Sequence, residues 1–218
     1  MLYRTFTARL RLTAKAGEHG VIWKMESFMI EYWLIILIHQ SVFQGMFATK
    51  NIILHKRTGK QIRGKNIEAT ASILFFVIFI GAALSISFFK LSFGEVHFFT
   101  NSFNIILGLL LLILNLSVSA ASLVNLRDSW RVGVLENQKT ELIISGIYRF
   151  TRNPYFVSYI LMFAAYTIIL QNLILFGFSI IGILFIYKMI RKEEDYLYSE
   201  HGDAYLQYKK NVPRYLFI

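Results

Sequence analysis

The chain has 218 residues, 56% of them hydrophobic and 17% charged, with no cysteine and a formal net charge of +10. Soluble domains run at about 45–50% apolar and about 25% charged, so this composition excludes a disordered chain, a disulfide-stapled secreted domain and an ordinary soluble enzyme. The missing cysteine also removes thiol nucleophiles, zinc fingers and iron–sulfur clusters. What remains is an all-α integral membrane protein.

Taken in chain order, residues 1–24 form a basic leader carrying Arg4, Arg9, Arg11, Lys15 and Lys24. It has no apolar run long enough for a secretory signal, and reads as a transit peptide or a start-site extension. A start at Met25 would open Met-Glu-Ser-Phe, and the leader is expected to lie outside the folded protein.

A bilayer core needs about 20 mostly apolar residues as helix. Residues 27–48, 71–92 and 102–124 each meet that length. Residues 155–190 carry no charge before Lys188 and are too long for one span. The polar pair Gln171-Asn172 divides them, which predicts a carboxyl-terminal helical hairpin. The expected architecture is about five transmembrane helices, with 25–126 holding spans one to three and 127–218 holding the hairpin, a cytoplasmic pocket and the tail.

Basic residues then set the orientation. Lys50, Lys56, Arg57, Lys60, Arg63 and Lys65 follow the first span, and Arg127, Arg131, Lys139, Arg149 and Arg152 follow the third. Lys188, Arg191, Lys192, Lys209, Lys210 and Arg214 follow the fifth. The opposite side, 94–101 and the Gln171-Asn172 turn, has none. The carboxyl terminus is therefore expected in the cytoplasm, and the one-sided charge accounts for the basicity without nucleic acid.

Several weaker signals carry less. Gly59-Lys60-Gln61-Ile62-Arg63-Gly64-Lys65-Asn66 approaches a phosphate-binding loop, but Asn66 replaces the magnesium-ligating hydroxyl residue. A basic loop against anionic lipid is the better reading. The five histidines are scattered, without the spacing of a metal site. His39, Gln40 and Gln44 fall inside the first span, where polar side chains either bond between helices or line a substrate cavity. Asn115, Ser117 and Ser119 suit close packing of the third span.

The chemistry concentrates in two runs of the last third. The first reads Thr140-Glu-Leu-Ile-Ile-Ser-Gly146-Ile-Tyr148-Arg-Phe-Thr-Arg152-Asn153-Pro154-Tyr155. The second holds Arg191-Lys192-Glu193-Glu194-Asp195, then His201-Gly202-Asp203-Ala204-Tyr205 and Asn211-Val212-Pro213-Arg214. Both belong to the cytoplasmic mouth, one entering the hairpin and one leaving it. Pro154 at a helix start leaves backbone N–H groups that favour an anion. Cationic, anionic and aromatic groups together suit a zwitterionic ligand with a ring. The plainer reading has the arginines as topology determinants and the acids paired along their own helix with Arg191 or Lys192.

These two runs resemble the isoprenylcysteine carboxyl methyltransferase and phospholipid methyltransferase superfamily of integral membrane enzymes. The shared pattern is Gly-x-Tyr-x-x-x-Arg-(His/Asn)-Pro, then an Arg-x-Glu-Glu stretch and a terminal Gly-x-x-Tyr-x-x-Tyr before Val-Pro, and it covers about residues 127–214. The resemblance implies S-adenosyl-L-methionine as cofactor. It places Tyr148, Asn153, Pro154, Tyr155, Glu193 and Glu194 at the cofactor, with Leu142 and Ile143 supplying backbone contacts. Arg152 or Arg191 would hold an acceptor carboxylate in the catalytic role, and no metal is implied. Asn153 stands where His is commoner and cannot titrate, so no general base belongs there. The Pro-x-Tyr tyrosine falls on Phe156, and the family's substrate arginine has no exact match.

The implied function is methyl transfer to a lipophilic acceptor, either an isoprenylcysteine-type carboxylate or a lipid headgroup amine. The implied partners are that acceptor and membrane lipids, in a bacterial inner membrane or endoplasmic reticulum. Two alternatives stay open on sequence: an NADPH-dependent reductase of the steroid or sterol type, and a non-enzymatic membrane scaffold.

Overall fold

The computed structural model describes residues 14–15, 22–23, 31–59, 67–130 and 141–216. The phosphate-loop-like run 60–66, Arg131, Lys139 and most of the leader lie outside the described residues. The chain divides into two units, Met1–Glu31 and Tyr32–Ile218.

In the first unit, β1 (Ala14–Lys15) pairs antiparallel with β2 (Ile22–Trp23), Ala14 opposite Trp23 and Lys15 opposite Ile22. This two-residue ladder lies in the leader, and the second unit is helical as the all-α expectation has it. Ile22 and Trp23 are β-branched and aromatic, residue types that favour extended backbone.

The second unit is helical: α1 (Tyr32–Thr58), α2 (Ile67–Phe88), α3 (Asn101–Asn125), α4 (Pro154–Leu170), α5 (Leu173–His201) and α6 (Asp203–Asn211). Thr70–Phe88, Ser102–Asn125 and Leu173–His201 are long and apolar enough to cross a bilayer; Pro154–Leu170 is apolar but shorter. α1 runs ten residues past the expected end of its span and finishes on His55, Lys56 and Arg57, cations that suit a helix carboxyl end. α5 likewise continues beyond Lys188, because its Arg, Lys and Glu residues are good helix formers. The charged half of α5 therefore projects past the apolar half as one rigid rod.

Burial is inverted relative to a soluble bundle. Val77, Leu110, Ile113 and Leu184 are exposed, while Asn104, Asn115, Ser119 and Ser158 are buried between helices. A continuous exterior of large aliphatic side chains suits a hydrocarbon surrounding rather than water. The apolar core is formed by Ile36, Phe79, Leu112, Met162, Phe163, Ile169 and Ile186. Glycine sets two close approaches within it. A Cβ on Gly108 of α3 would lie 2.2 Å from Ile169 of α4, and one on Gly182 of α5 would lie 2.5 Å from Phe163 of α4. Small residues at crossings are how helices approach closely in lipid.

The break between α4 and α5 falls on Gln171 and Asn172. Gln171 takes the left-handed conformation (φ 43°), and the Asn172 side chain accepts hydrogen bonds from the Ile174 and Leu175 N–H groups. An asparagine cap satisfies donors that the first helical turn would otherwise leave unpaired. The 91–100 loop is fastened to this turn: Leu173 N donates to Gly94 O (2.8 Å), Val96 N to Gln171 O (2.8 Å) and Phe99 N to Gln171 Oε1 (2.8 Å). The two segments that lack basic residues thus share one end of the bundle.

Polar side chains inside the bundle bond across helices. The His39 ring bonds Tyr166 OH through Nδ1 (2.7 Å) and Asn115 Oδ1 through Nε2 (2.9 Å). Gln40 Nε2 donates to Tyr166 OH, Gln44 Nε2 to Gln40 Oε1, and Asn115 Nδ2 to Ser158 O. For His39 and Gln40 the network supports interhelical bonding, which ties α1, α3 and α4; Gln44 bonds Gln40 within α1.

Candidate functional site

The site lies where the 141–154 segment, the charged half of α5, and the tail after α6 converge. Its local structure begins at Gly146, whose backbone is left-handed (φ 62°), a conformation that glycine adopts without steric cost. A Cβ there would fall 1.6 Å from Asn125 Oδ1, which instead accepts the Ile147 N–H at 2.8 Å. Asn125 at the end of α3 thereby anchors the short 3₁₀ turn Gly146–Arg149 and, with it, Tyr148.

Tyr148 is buried, and its carbonyl accepts a hydrogen bond from Tyr208 OH of α6 (2.7 Å). Burial pushes the Tyr148 phenol well above its ordinary value, reinforced by the nearby charge of Glu193 and by Tyr208. Glu193, next to Glu194 on α5, is half-buried. The tail is stitched to the start of α4 by backbone and side-chain bonds. Arg152 N donates to Pro213 O (3.0 Å), Thr151 Oγ1 to Arg214 O (2.9 Å) and Asn153 Nδ2 to Arg214 O (3.3 Å). Asn153 is thus the helix-start residue at which α4 meets the tail, with Pro154 occupying the first helical position.

The electrostatic centre is Glu194. Its carboxylate, 5% exposed, is shared by two arginines from distant parts of the chain: Arg152 Nη2 at 3.0 Å, and Arg214 through Nε (3.0 Å) and Nη2 (2.7 Å). Burial alone would raise the Glu194 carboxyl, but the Arg214 hydrogen bonds and the charges of Arg152, Arg214 and Lys209 outweigh it and hold it below its ordinary value. The same bonds raise Arg214. Arg152 also donates through Nη1 to Lys209 O (3.2 Å). Two buried donors at this cluster, Arg152 Nε and Tyr205 OH, find no hydrogen-bond partner among the described residues. Tyr205 is raised by burial and by the Glu194 charge beside it, so its hydroxyl stays protonated.

Of the residues singled out in the sequence, Tyr148, Arg152, Asn153, Pro154, Glu193 and Glu194 come together here. Leu142 and Ile143 are half-buried in the extended segment leading in. Tyr155 packs elsewhere, against Trp130 (ring centroids 4.9 Å), Tyr159 (5.3 Å) and Phe43 (6.1 Å). Arg191 is exposed and bonds Tyr187 OH at 3.4 Å. The acid at 194 pairs across the chain rather than with Arg191 or Lys192 on its own helix. Sequence reasoning passed over Arg214, Tyr205 and Tyr208 as site residues. Their signal was the terminal Tyr-x-x-Tyr…Val-Pro-Arg run, but Arg214 counted there only as a positive-inside charge.

A helical bundle with a lipid-facing exterior and a buried polar cluster at one end defines an integral membrane protein with a site at the bundle mouth. Residues 103–204 match the family model described as phospholipid methyltransferase. Curated relatives include the protein-S-isoprenylcysteine O-methyltransferases of Schizosaccharomyces pombe, 35% identical over 78 residues, and of Xenopus laevis, 32% identical over 84 residues. These alignments take in 35% and 37% of this chain but only 33% and 29% of the relatives, so the chain spans about a third of their length. The fold is similar to the solved structure of the eukaryotic intramembrane Ras methyltransferase, isoprenylcysteine carboxyl methyltransferase. The TM-score is 0.57 at 20% identity, over 88% of this chain and 70% of that one. The carboxyl-terminal region of the chain is therefore similar to the phospholipid and isoprenylcysteine carboxyl methyltransferases.

Proposed function

We propose that the chain is an S-adenosyl-L-methionine-dependent membrane methyltransferase acting on the carboxylate of a lipophilic, isoprenylcysteine-type acceptor. The observation that carries this reading is the Arg152–Glu194–Arg214 cluster beside Asn153 and Tyr148, all but Arg214 within the segment that matches the family model. The residues fit such a cofactor. The cluster offers an unpartnered buried donor (Tyr205 OH), an acid at Glu193 and a buried aromatic at Tyr148. Those are the complements of a carboxylate, an ammonium or ribose, and a purine. When bound, S-adenosyl-L-methionine supplies a methyl group already activated by its sulfonium.

The protein's task is then positioning. Holding two reactants in an attack geometry can lower a barrier by about 7–11 kcal/mol in favourable cases. Glu193 binds the cationic or ribose end of the cofactor, and the 142–143 backbone and Asn153 orient it. Arg152 retains Nε as a donor for a carboxylate, while Arg191 stands exposed at the rim as the other candidate for the acceptor. No general base is needed, since a carboxylate acceptor is already the nucleophile.

The topology belonging to this reading has five spans, α1 to α5, with α4 and α5 as a membrane hairpin. The basic ends of α1, α3 and α5 face the cytoplasm, and the 91–100 loop faces the opposite side. Aqueous cofactor and greasy acceptor then meet at the cytoplasmic interface. A lipid headgroup amine is the second reading, favoured by the phospholipid methyltransferase description of the matching family model.

The test is S-adenosyl-L-methionine binding to the detergent-purified chain, wild type beside Glu193→Ala and Asn153→Ala, with NADPH as competitor. Saturable binding weakened in both variants supports the site. A folded protein that ignores S-adenosyl-L-methionine but binds NADPH, or binds neither, refutes it.

A further inference from the structure

A polar cavity lies at the carboxyl ends of α1 and α3. It measures about 460 Å3 and is lined by the cations Lys50, Arg57 and Arg127, by the acids Asp128 and Glu141, and by the aliphatic Ile53, Leu54 and Val124. Ile53 and Val124 are 56% and 70% exposed, on an exterior whose large aliphatic residues face hydrocarbon. The cavity therefore opens onto the lipid side as well as onto the basic end of the bundle.

The three cations are not equally engaged. Arg57 forms an ion pair with Asp128, whose charge also acts on Lys50, and Glu141 lines the cavity as an exposed residue. Lys50 and Arg127 take part in no ion pair among the described residues. Arg127 also holds a left-handed backbone (φ 45°) that a non-glycine residue adopts only at a steric cost. Strain of that kind persists where the surrounding structure over-determines it, and it clusters at ligand sites. The Ser129 hydroxyl, also lining the cavity, donates to Glu141 O (3.2 Å) and closes the wall behind Arg127.

We propose that this cavity binds the phosphate head of a membrane lipid, with an acyl chain running along Ile53 and Val124. A guanidinium fork and an ammonium placed around one space suit a tetrahedral, multi-oxygen anion. The aliphatic wall gives the same ligand a place for its chain.

The experiment is native mass spectrometry of the full chain in detergent, titrated with phosphatidylglycerol and, separately, with diacylglycerol of the same chains. Wild type retains phosphatidylglycerol and not diacylglycerol. Lys50→Gln with Arg127→Gly, the glycine accepting the left-handed backbone, weakens retention about tenfold or more, as expected for two cations beside an anionic lipid. Lys50→Arg with Arg127→Lys keeps the charges and keeps the lipid, which separates lost charge from lost fold. Lys56→Gln with Lys210→Gln removes two exposed charges outside the cavity and leaves retention unchanged. Equal loss in both charge-removing pairs, equal retention of diacylglycerol, or complete displacement by millimolar inorganic phosphate would each overturn the proposal. The last outcome would mark a free-anion site instead.

Discussion

Arg214 closes a bidentate pair on Glu194, Nε to Oε1 at 3.0 Å and Nη2 to Oε2 at 2.7 Å, and its guanidinium also lies 5.6 Å above the Tyr187 ring. The tail is thereby locked to α5, and through the bonds of Thr151 and Asn153 to Arg214 O it is locked to α4 as well. One acidic side chain organises three segments that meet only in the folded state.

Removing that acid leaves two cations facing each other in a buried place. Glu194→Ala is expected to cost about 3–5 kcal/mol, the range for deleting one partner of a buried pair. Thermal unfolding in detergent measures it. A variant within 1 kcal/mol of wild type would mean the pair is not held in solution.

The same carboxylate gives a pH signature. Its folded value lies below the ordinary 4.5, so its contribution is complete above about pH 4.5 and is lost as the pH falls through the folded value. Unfolding midpoints of wild type should therefore drop on the acid side of that value. Glu194→Gln, which cannot titrate, should show a flatter acid limb between the same pH values.

Gly146→Ala confronts both a left-handed backbone and Asn125 Oδ1 at 1.6 Å from the new Cβ. The conformational term alone is about 1–2 kcal/mol. The 146–149 turn should shift, moving Tyr148, and S-adenosyl-L-methionine binding should weaken more than stability does. Asn125→Ala in the same chain removes the clash but not the backbone strain, so it should restore binding only in part.

Interhelical polar bonds in membranes average about 0.6 kcal/mol each. His39→Leu breaks the bonds to Tyr166 and Asn115, and should lower stability by about 1–2 kcal/mol. Cofactor affinity should stay at the wild-type value, because the network lies within the bundle and not at its mouth. A loss of affinity with unchanged stability would instead assign His39 to the site.

Much of this was legible in the linear chain. The apolar runs behind α2, α3 and α5 stand out because length and hydropathy are local properties. The break at Gln171-Asn172 was legible for the same reason: two adjacent polar residues in an apolar run have a local remedy, a left-handed turn and an asparagine cap. Tyr148, Asn153 and the Glu193-Glu194 pair were marked as chemistry by motif. Helix ends were less legible. Charged helix formers carry α1 to Thr58 and α5 to His201, past the points where the apolar pattern stops.

The sequence by itself determined a membrane-spanning helical chain, the end on which its cations collect, and the two runs that hold its chemistry. Each follows from composition within a single segment. Only the tertiary structure decided which acid is the hub. Glu193 and Glu194 are chemically alike, but consecutive helical residues point about 100° apart, so packing can bury just one of them against α4 and the tail. It buried Glu194, between Arg152 and Arg214, and sent Tyr155 into the cluster of Phe43 and Trp130. Those choices depend on where separate helices dock, which no spacing within one helix encodes.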